Sequence, residues 1–230
     1  MKRNNVLMPE KLAVLSGIST PTVCNAIETF DIQKRTQGFV RDEIHPFFPE
    51  LGVMVGFAAT ARASAASPPT AAQENLRFEL LELLATLPEP RVVVIEDIDS
   101  PPCLGAFWGE VQTNLHRSLG CIGTVTNGGV RDLAEVRLMN FHFFARRAIP
   151  SHAYVHLIDV GAPVTIGGLV IQTGDLIHGD PHGVTRIPLE IAAEIPAAAA
   201  RIEAREKNII DYCRSDRFDI GGLKALLAKK

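Results

Sequence analysis

The stretch Thr126-Asn127-Gly128-Gly129-Val130-Arg131-Asp132 sets a planar cation and a carboxylate one residue after a pair of glycines. Arginine offers a two-pronged donor for carboxylate or enolate oxygens, and aspartate offers a hard oxygen ligand for a divalent cation. The same residues also suit a purely structural role. Asn127-Gly128-Gly129 can close a tight turn, and Asp132 with Glu135 imitates a capping box at a helix start. The pair alone leaves both roles open. A second candidate is Phe107-Trp108-Gly109-Glu110-Val111-Gln112. If a helix begins at Gly109-Glu110, the N–H groups of Val111 and Gln112 have no intrahelical partner and can bind a carboxylate. Glu110 can equally be a first-turn acid favoured by the helix dipole.

The remaining chemistry-bearing residues point away from common site types. His152 and His156 stand four apart, which on a helix would be half of a zinc site. Ser151 to His156 reads instead as extended or irregular chain, and no H-E-x-x-H occurs. His178 and His182 flank Asp180 in a turn and read as structural. No serine-hydrolase elbow, P-loop or dinucleotide fingerprint is present. The four cysteines lie far apart without a C-x-x-C pair, the pattern of reduced thiols in a cytosolic protein. A formal net charge of −3 supplies no basic excess for nucleic acid.

With 230 residues and 47% hydrophobic content, the chain suits one domain over residues 1–230 with a substantial core. The first seventeen residues lack the apolar core of a signal peptide, and no run reaches the roughly 18 apolar residues of a membrane span. The expected location is the cytoplasm.

These residues must be held by an alternating α/β chain. Helices are expected at 9–17, from Ser19 or Thr20 with Pro21 in the first turn, and at 75–87. Strands are expected at 52–63, 91–97, Cys121–Asn127 and Phe141–Arg147, with turns over 36–50 and a surface loop in Ser-Ala-Ala-Ser-Pro-Pro-Thr-Ala-Ala-Gln. A helix is expected from Trp108 to Leu119, with Trp108, Val111, Leu115 and Leu119 along one face. Another should carry Val130, Ala134, Val136 and Leu138. Two short strands turn about Gly167-Gly168, a Gly/Asp-rich return follows, and the chain closes in an Ala- and charge-rich helix interrupted at Pro196.

Three blocks in order, Gly105–Glu135, Phe141–Pro188 and a glutamate-containing terminal helix, resemble the RraA-like family, over most of residues 10–215. That family includes the class II pyruvate aldolases acting on 4-hydroxy-4-methyl-2-oxoglutarate and 4-carboxy-4-hydroxy-2-oxoadipate. The most specific element is an acid, twenty intervening residues and then Arg-Asp, satisfied here by Glu110 and Arg131-Asp132. Glu110 stands where the family usually has aspartate, one methylene shorter. Glu135 matches an acid frequent in the aldolase members.

The resemblance implies a single α/β domain with a β/β/α layered core of the swivelling-domain type, core about 10–190, and a C-terminal helix at about 189–214. It implies a homotrimer or homohexamer whose sites lie between subunits, with an acid donated from a neighbour's terminal helix. Glu206 is the first candidate and Glu203 the second. The implied activity is a divalent-metal-dependent lyase that cleaves a 4-hydroxy-2-oxo acid to release pyruvate, with oxaloacetate decarboxylation as a related reaction. Mg²⁺ or Mn²⁺ would be held by Asp132, Glu110 and Glu206. Arg131 would stabilise the enolate, and Gly109, Val111 and Gln112 would hold the substrate carboxylate. A metal-bound or ordered water is the expected proton carrier. The alternative implied by the family is a protein-binding regulator of an endoribonuclease.

Overall fold

The computed structural model describes residues 9–41 and 44–228. The first eight residues, part of the segment read for a signal peptide, lie outside the described residues. Helices α1 (Pro9–Leu15) and α2 (Thr20–Glu28) open the chain. Ser19 is the cap of α2, its hydroxyl accepting from Thr22 N at 3.3 Å, and Pro21 sits in the first turn. Strand β1 (His45–Pro46) falls within the segment expected to be turns, and the long β2 (Met54–Ser64) follows.

Helix α3 (Ala71–Thr86) starts four residues before the expected 75. Thr70 and Gln73 form a reciprocal capping box there, so the end of the expected loop is already helical. Next come β3 (Arg91–Asp97), β4 (Ala106–Trp108), α4 (Glu110–Arg117), β5 (Cys121–Thr126), β6 (Gly129–Val130) and α5 (Leu133–Leu138). Strands β7 (His142–Ala145), β8 (Arg147–Ala148) and β9 (His156–Val160) lead to two hairpins, β10 (Val164–Ile166) with β11 (Leu169–Ile171), and β12 (Leu176–Asp180) with β13 (Gly183–Ile187). Helices α6 (Ile195–Cys213) and α7 (Ile220–Leu227) close the described chain.

The main sheet runs β1-β7-β5-β3-β2-β12-β13, with β9 paired to the far end of β2. Its centre, β2, β3, β5 and β7, is parallel. That explains the unbroken apolar run of β3, because a parallel sheet is covered on both faces. Val93 and Ile95 enter one core with Leu80 and Leu84 of α3, while Val92 and Val94 enter another with Ile166 and Ile171 of the β10–β11 hairpin. Gly167 and Gly168 turn that hairpin with φ of 50° and 80°, as a two-residue turn of this hand requires. A third cluster packs α1, α2 and α6 on Val55, Phe57 and Leu176.

Strands β4, β6 and β8 form a second, smaller sheet, all parallel. It is the layer that positions the site. Trp108, which ends β4, is fully buried and lies 4.8 Å from the His116 ring and 5.5 Å from that of Phe141. Burying aromatic groups of this size dominates local packing.

Three expectations need correction. Trp108 is a strand residue, because β4 pairs with β6 and extended Gly109 separates strand from helix. Helix α4 therefore buries Thr113 and His116, while Val111 and Leu115 face outward. Val130 likewise belongs to β6, and Leu138 is exposed rather than part of a buried face. Pro196 lies in the first turn of α6, where its missing N–H costs nothing, and the helical run breaks instead between Arg214 and Asp219.

His178 is structural and sits in β12 rather than in the turn. Its Nδ1 meets Thr20 Oγ1 at 3.0 Å and its Nε2 meets Leu15 O at 3.2 Å, while Asp180 accepts from Thr20 N at 2.8 Å. This buried network staples the α1–α2 corner to β12. Burial lowers the basicity of His178, and pushes both His116 and His142 down from an ordinary 6.5 to about 4. Their folded values lie below their unfolded ones. As pH falls below about 6.5, the unfolded chain takes up protons that the folded chain refuses, so stability is lost between about pH 6.5 and 4. Each group lowered this far is worth on the order of 3 kcal/mol. The urea midpoint should therefore drop across that window, and His116→Gln should flatten the decline. An unchanged pH slope in the variant would show that His116 titrates normally.

Candidate active site

The three parallel strands of the small sheet end side by side, and each end carries polar residues. Strand β4 runs into Gly109-Glu110, β6 into Arg131-Asp132, and β8 into the turn that reaches Ser151-His152. Ligands in α/β proteins gather at such carboxyl ends. Backbone hydrogen bonds fix the register, with Arg131 N donating to Trp108 O at 3.0 Å and Ile149 N to Val130 O at 2.9 Å. The chain after β8 then curls back to β4, where Ala106 N donates to Ser151 O at 3.0 Å.

The glycine pair that precedes Arg131 is held rigidly. Asn127 spans to the end of β3, its Oδ1 accepting from Asp97 N at 2.7 Å and its Nδ2 donating to Asp97 O at 2.8 Å. Gly129 lies so close to Ile149 that a Cβ would collide with that side chain. Asp132 then adopts a left-handed conformation, φ 54° and ψ 45°, uncommon for a residue other than glycine and worth about 1–2 kcal/mol of strain.

That conformation turns the carboxylate away from its own helix. Asp132 makes no side-chain cap on α5, and Glu135 is exposed, so the capping-box reading does not hold. Instead Asp132 Oδ2 accepts from Glu110 N at 2.9 Å and lies 3.7 Å from Arg131 Nε. The approach is possible only because residue 109 is glycine, since a Cβ there would strike Asp132 Oδ2.

The first turn of α4 is thus half used. Glu110 N is taken by Asp132, Thr113 N bonds Gly109 O at 3.0 Å, and the N–H groups of Val111 and Gln112 remain open, as the first turn of any helix leaves them. Both residues line a cavity of about 230 Å³ with Ala106, Phe107, Gly109, Arg131, His152 and Val155. The structure therefore brings Gly109, Val111, Gln112 and Arg131 to one cavity, with Asp132 behind Gly109. Glu110, between Gly109 and Val111 in sequence, is exposed and does not itself line it.

Glu206 does not join them within one chain. Helix α6 packs on α1, α2 and α7, and Glu206 is exposed on it. Among the described residues no group of three His, Cys, Asp or Glu side chains is placed to hold a metal. The donors of one chain, Asp132 and Glu110, fit a hydrated ion with few protein oxygens and do not form a closed cage. His152, which the sequence offers only as half of a zinc site, lines this cavity. Its signal was its place after a third short strand, in parallel with Gly109 and Arg131, which only the sheet order makes visible.

A family model described as RraA-like, Aldolase/RraA, matches residues 20–186. The chain belongs to the RraA-like family. A protein of Halalkalibacterium halodurans named "Putative 4-hydroxy-4-methyl-2-oxoglutarate aldolase" is 32% identical over 114 residues, 47% of this chain and 54% of that protein. The chain spans about half the length of the first curated relatives it matches. Among solved structures, an uncharacterized protein of Pseudomonas syringae pv. tomato is similar with a TM-score of 0.73 and 25% identity, over 96% of this chain and 94% of that one. Streptomyces coelicolor RraAS2, described as an unusual member of the RNase ES inhibitor RraA protein family, has a TM-score of 0.66 at 20% identity, over 87% and 95% of the two chains. The α/β fold with its layered sheets is thus that of the RraA-like proteins. No helix among the described residues is long and apolar enough to cross a membrane.

The Gly109–Asp132 contact can be tested through stability alone. Extended Gly109, φ −161°, could accept alanine by its backbone, so the cost of Gly109→Ala comes from the carboxylate it displaces. We expect a loss of about 1–3 kcal/mol in chemical unfolding. Combining it with Asp132→Gly should remove most of that loss, and a double-mutant cycle measures the coupling. Additive effects would mean that the two residues do not touch.

Proposed function

We propose that this protein is a divalent-metal-dependent lyase that cleaves a 4-hydroxy-2-oxo dicarboxylic or tricarboxylic acid to release pyruvate, and that it also decarboxylates oxaloacetate. The observation that carries the reading is one cavity lined by Gly109, Val111, Gln112 and Arg131, with the Asp132 carboxylate hydrogen-bonded to the Glu110 amide next to it. A site of this kind combines anion recognition with a hard oxygen donor, the two needs of a 2-oxo acid bound through a metal. The aldolase name of the Halalkalibacterium halodurans relative supports the same reaction class.

The amides of Val111 and Gln112 would hold the substrate's carboxylate at the helix N-terminus. Arg131 would set its guanidinium against the 2-oxo oxygen, where negative charge develops as the C–C bond breaks. Asp132 and Glu110, with Glu206 of a neighbouring copy, would hold Mg²⁺ or Mn²⁺. The ion supplies Lewis-acid polarisation of the 2-oxo group when bound. Gly109 keeps Asp132 pinned to the Glu110 amide, so the carboxylate meets the ion without reorganising. Glu110 contributes from beside the cavity, with the longer reach of a glutamate.

EDTA should abolish pyruvate release, Mg²⁺ or Mn²⁺ should restore it, and Asp132→Asn should fold normally yet lose activity. Full turnover in EDTA would rule out this mechanism. A second reading, a regulator that binds an endoribonuclease, is favoured by the fold shared with RraAS2. It would be chosen by ribonuclease inhibition from a protein that releases no pyruvate.

A site shared between copies gives a separate prediction. Mixed Asp132→Asn and Glu206→Gln subunits, each inactive alone, should regain activity, since a mixed interface can hold both intact groups. Glu206→Gln with full activity would remove that residue from the site.

A further inference from the structure

We infer that His152 is the proton carrier of the reaction, taking the proton of the substrate's 4-hydroxyl group and returning it to the pyruvate enolate; this rests on the lyase reading above. Cleavage of a 4-hydroxy-2-oxo acid needs a base at that hydroxyl. The base must share a cavity with the groups that hold the 2-oxo acid end.

Of the seven histidines, His152 is the one on the wall of the cavity that Arg131, Gly109 and Gln112 also line. A cavity of about 230 Å³ suits one small oxo acid, and His152 shares its lining with the groups that would hold the acid's 2-oxo end. The other six lie off that wall, and His45 stands on β1 at the edge of the main sheet. His116 is buried behind α4, with Nδ1 on Gln112 O at 2.7 Å. His178 is locked in its network, His182 pairs with Asp180 at 3.2 Å, and His156 is buried on β9, outside the cavity lining. Burial suppresses protonation of His142.

The ring of His152 is presented in a usable form. Its Nδ1 lies 2.7 Å from Ala153 O, a carbonyl that can only accept. Nδ1 therefore carries the hydrogen, and Nε2 of the neutral ring holds the lone pair. The backbone that bears the ring is fixed on several sides. Ala153 is left-handed at φ 45° with its N–H on Ser151 Oγ at 3.0 Å, and Val155 N bonds His152 O at 3.0 Å. A side chain at Gly105 would collide with the His152 carbonyl, so glycine there lets the turn close onto β4. A base held this way needs no reorganisation before proton transfer.

The step balances without a co-reactant. Nε2 takes the 4-hydroxyl proton as the C4–O bond becomes a carbonyl. The C3–C4 bond breaks and its electron pair passes into the enolate of pyruvate. The proton on Nε2 then moves to C3, which becomes the methyl carbon, and the imidazole ends neutral as it began.

The test uses the full-length protein with Mg²⁺, a panel of 4-hydroxy-2-oxo acids, and the variants His152→Ala and His152→Gln. Because the side chain is exposed, both variants should unfold at the wild-type temperature. We expect kcat to fall by about 10²–10⁴-fold in each, with KM changed by less than about threefold. Added imidazole should raise the rate of His152→Ala at least about tenfold, in proportion to its concentration, and leave His152→Gln unchanged. A carrier whose loss a free base replaces is doing proton transfer, an outcome that a packing role cannot give. If the wild type is active and His152→Ala stays within about threefold of it, or imidazole restores nothing, His152 is not the carrier and the lyase reading stands. A wild type that releases no pyruvate from any acid in the panel overturns both.

Discussion

One hydrogen bond organises the site, the 2.9 Å contact from the Glu110 amide to Asp132 Oδ2. It joins the ends of two parallel strands, β4 and β6, and it fixes the Asp132 carboxylate against Gly109, which lines the cavity. Three conditions must hold at once. Residue 109 must lack a Cβ, Asp132 must sit left-handed, and the two strands must end in register. A left-handed aspartate costs about 1–2 kcal/mol, and a charge-assisted hydrogen bond returns an amount of the same order. The strain persists because the surroundings leave Asp132 no other conformation.

Those surroundings reach well beyond the cavity. Trp108, the residue before Gly109, is locked among His116, Phe141 and Phe143, so β4 cannot slide. Asn127 clamps the start of the glycine pair to β3 of the main sheet, and the Gly129–Ile149 approach ties β6 to the residue after β8. The small sheet is therefore referenced to the large one through Asn127 and held together within itself at Gly129. Gly129, read in sequence as part of a tight turn, serves close packing as well.

How much of this was legible follows from the range of the interactions involved. Strands β2 and β3, α2 with its Ser19 cap, and the Gly167-Gly168 hairpin rest on local pattern and turn chemistry, and they form as expected. The expected helix from Trp108 to Leu119 differs from α4 because apolar spacing says nothing about whether the apolar face meets a core. Val111, 75% exposed, and Leu115 have no core of their own chain to enter, while the strand pairing that captures Trp108 comes from residues more than twenty positions away. Gly109, Val111, Gln112 and Arg131 could be named together from their motifs. His152 could not, because its place depends on Ser151 folding back to Ala106, a contact between segments 45 residues apart.

The same exposed residues bear on why one chain leaves the proposed metal site incomplete. Helices α4 and α5 pack together beside the cavity and show Val111, Leu115 and the 85% exposed Leu138 to the outside. Single exposed apolar residues are ordinary, and these three mark the α4–α5 surface on which the proposed assembly would seat a neighbouring copy. Glu110, on the first turn of α4, stands at the border between that surface and the cavity. An acid brought by a neighbouring copy would arrive across apolar ground. There a carboxylate is poorly solvated unless it meets a cation, so coverage of the helices and completion of the donor set would reinforce each other. The proposed metal and the proposed assembly are in this sense one hypothesis about the α4–α5 face.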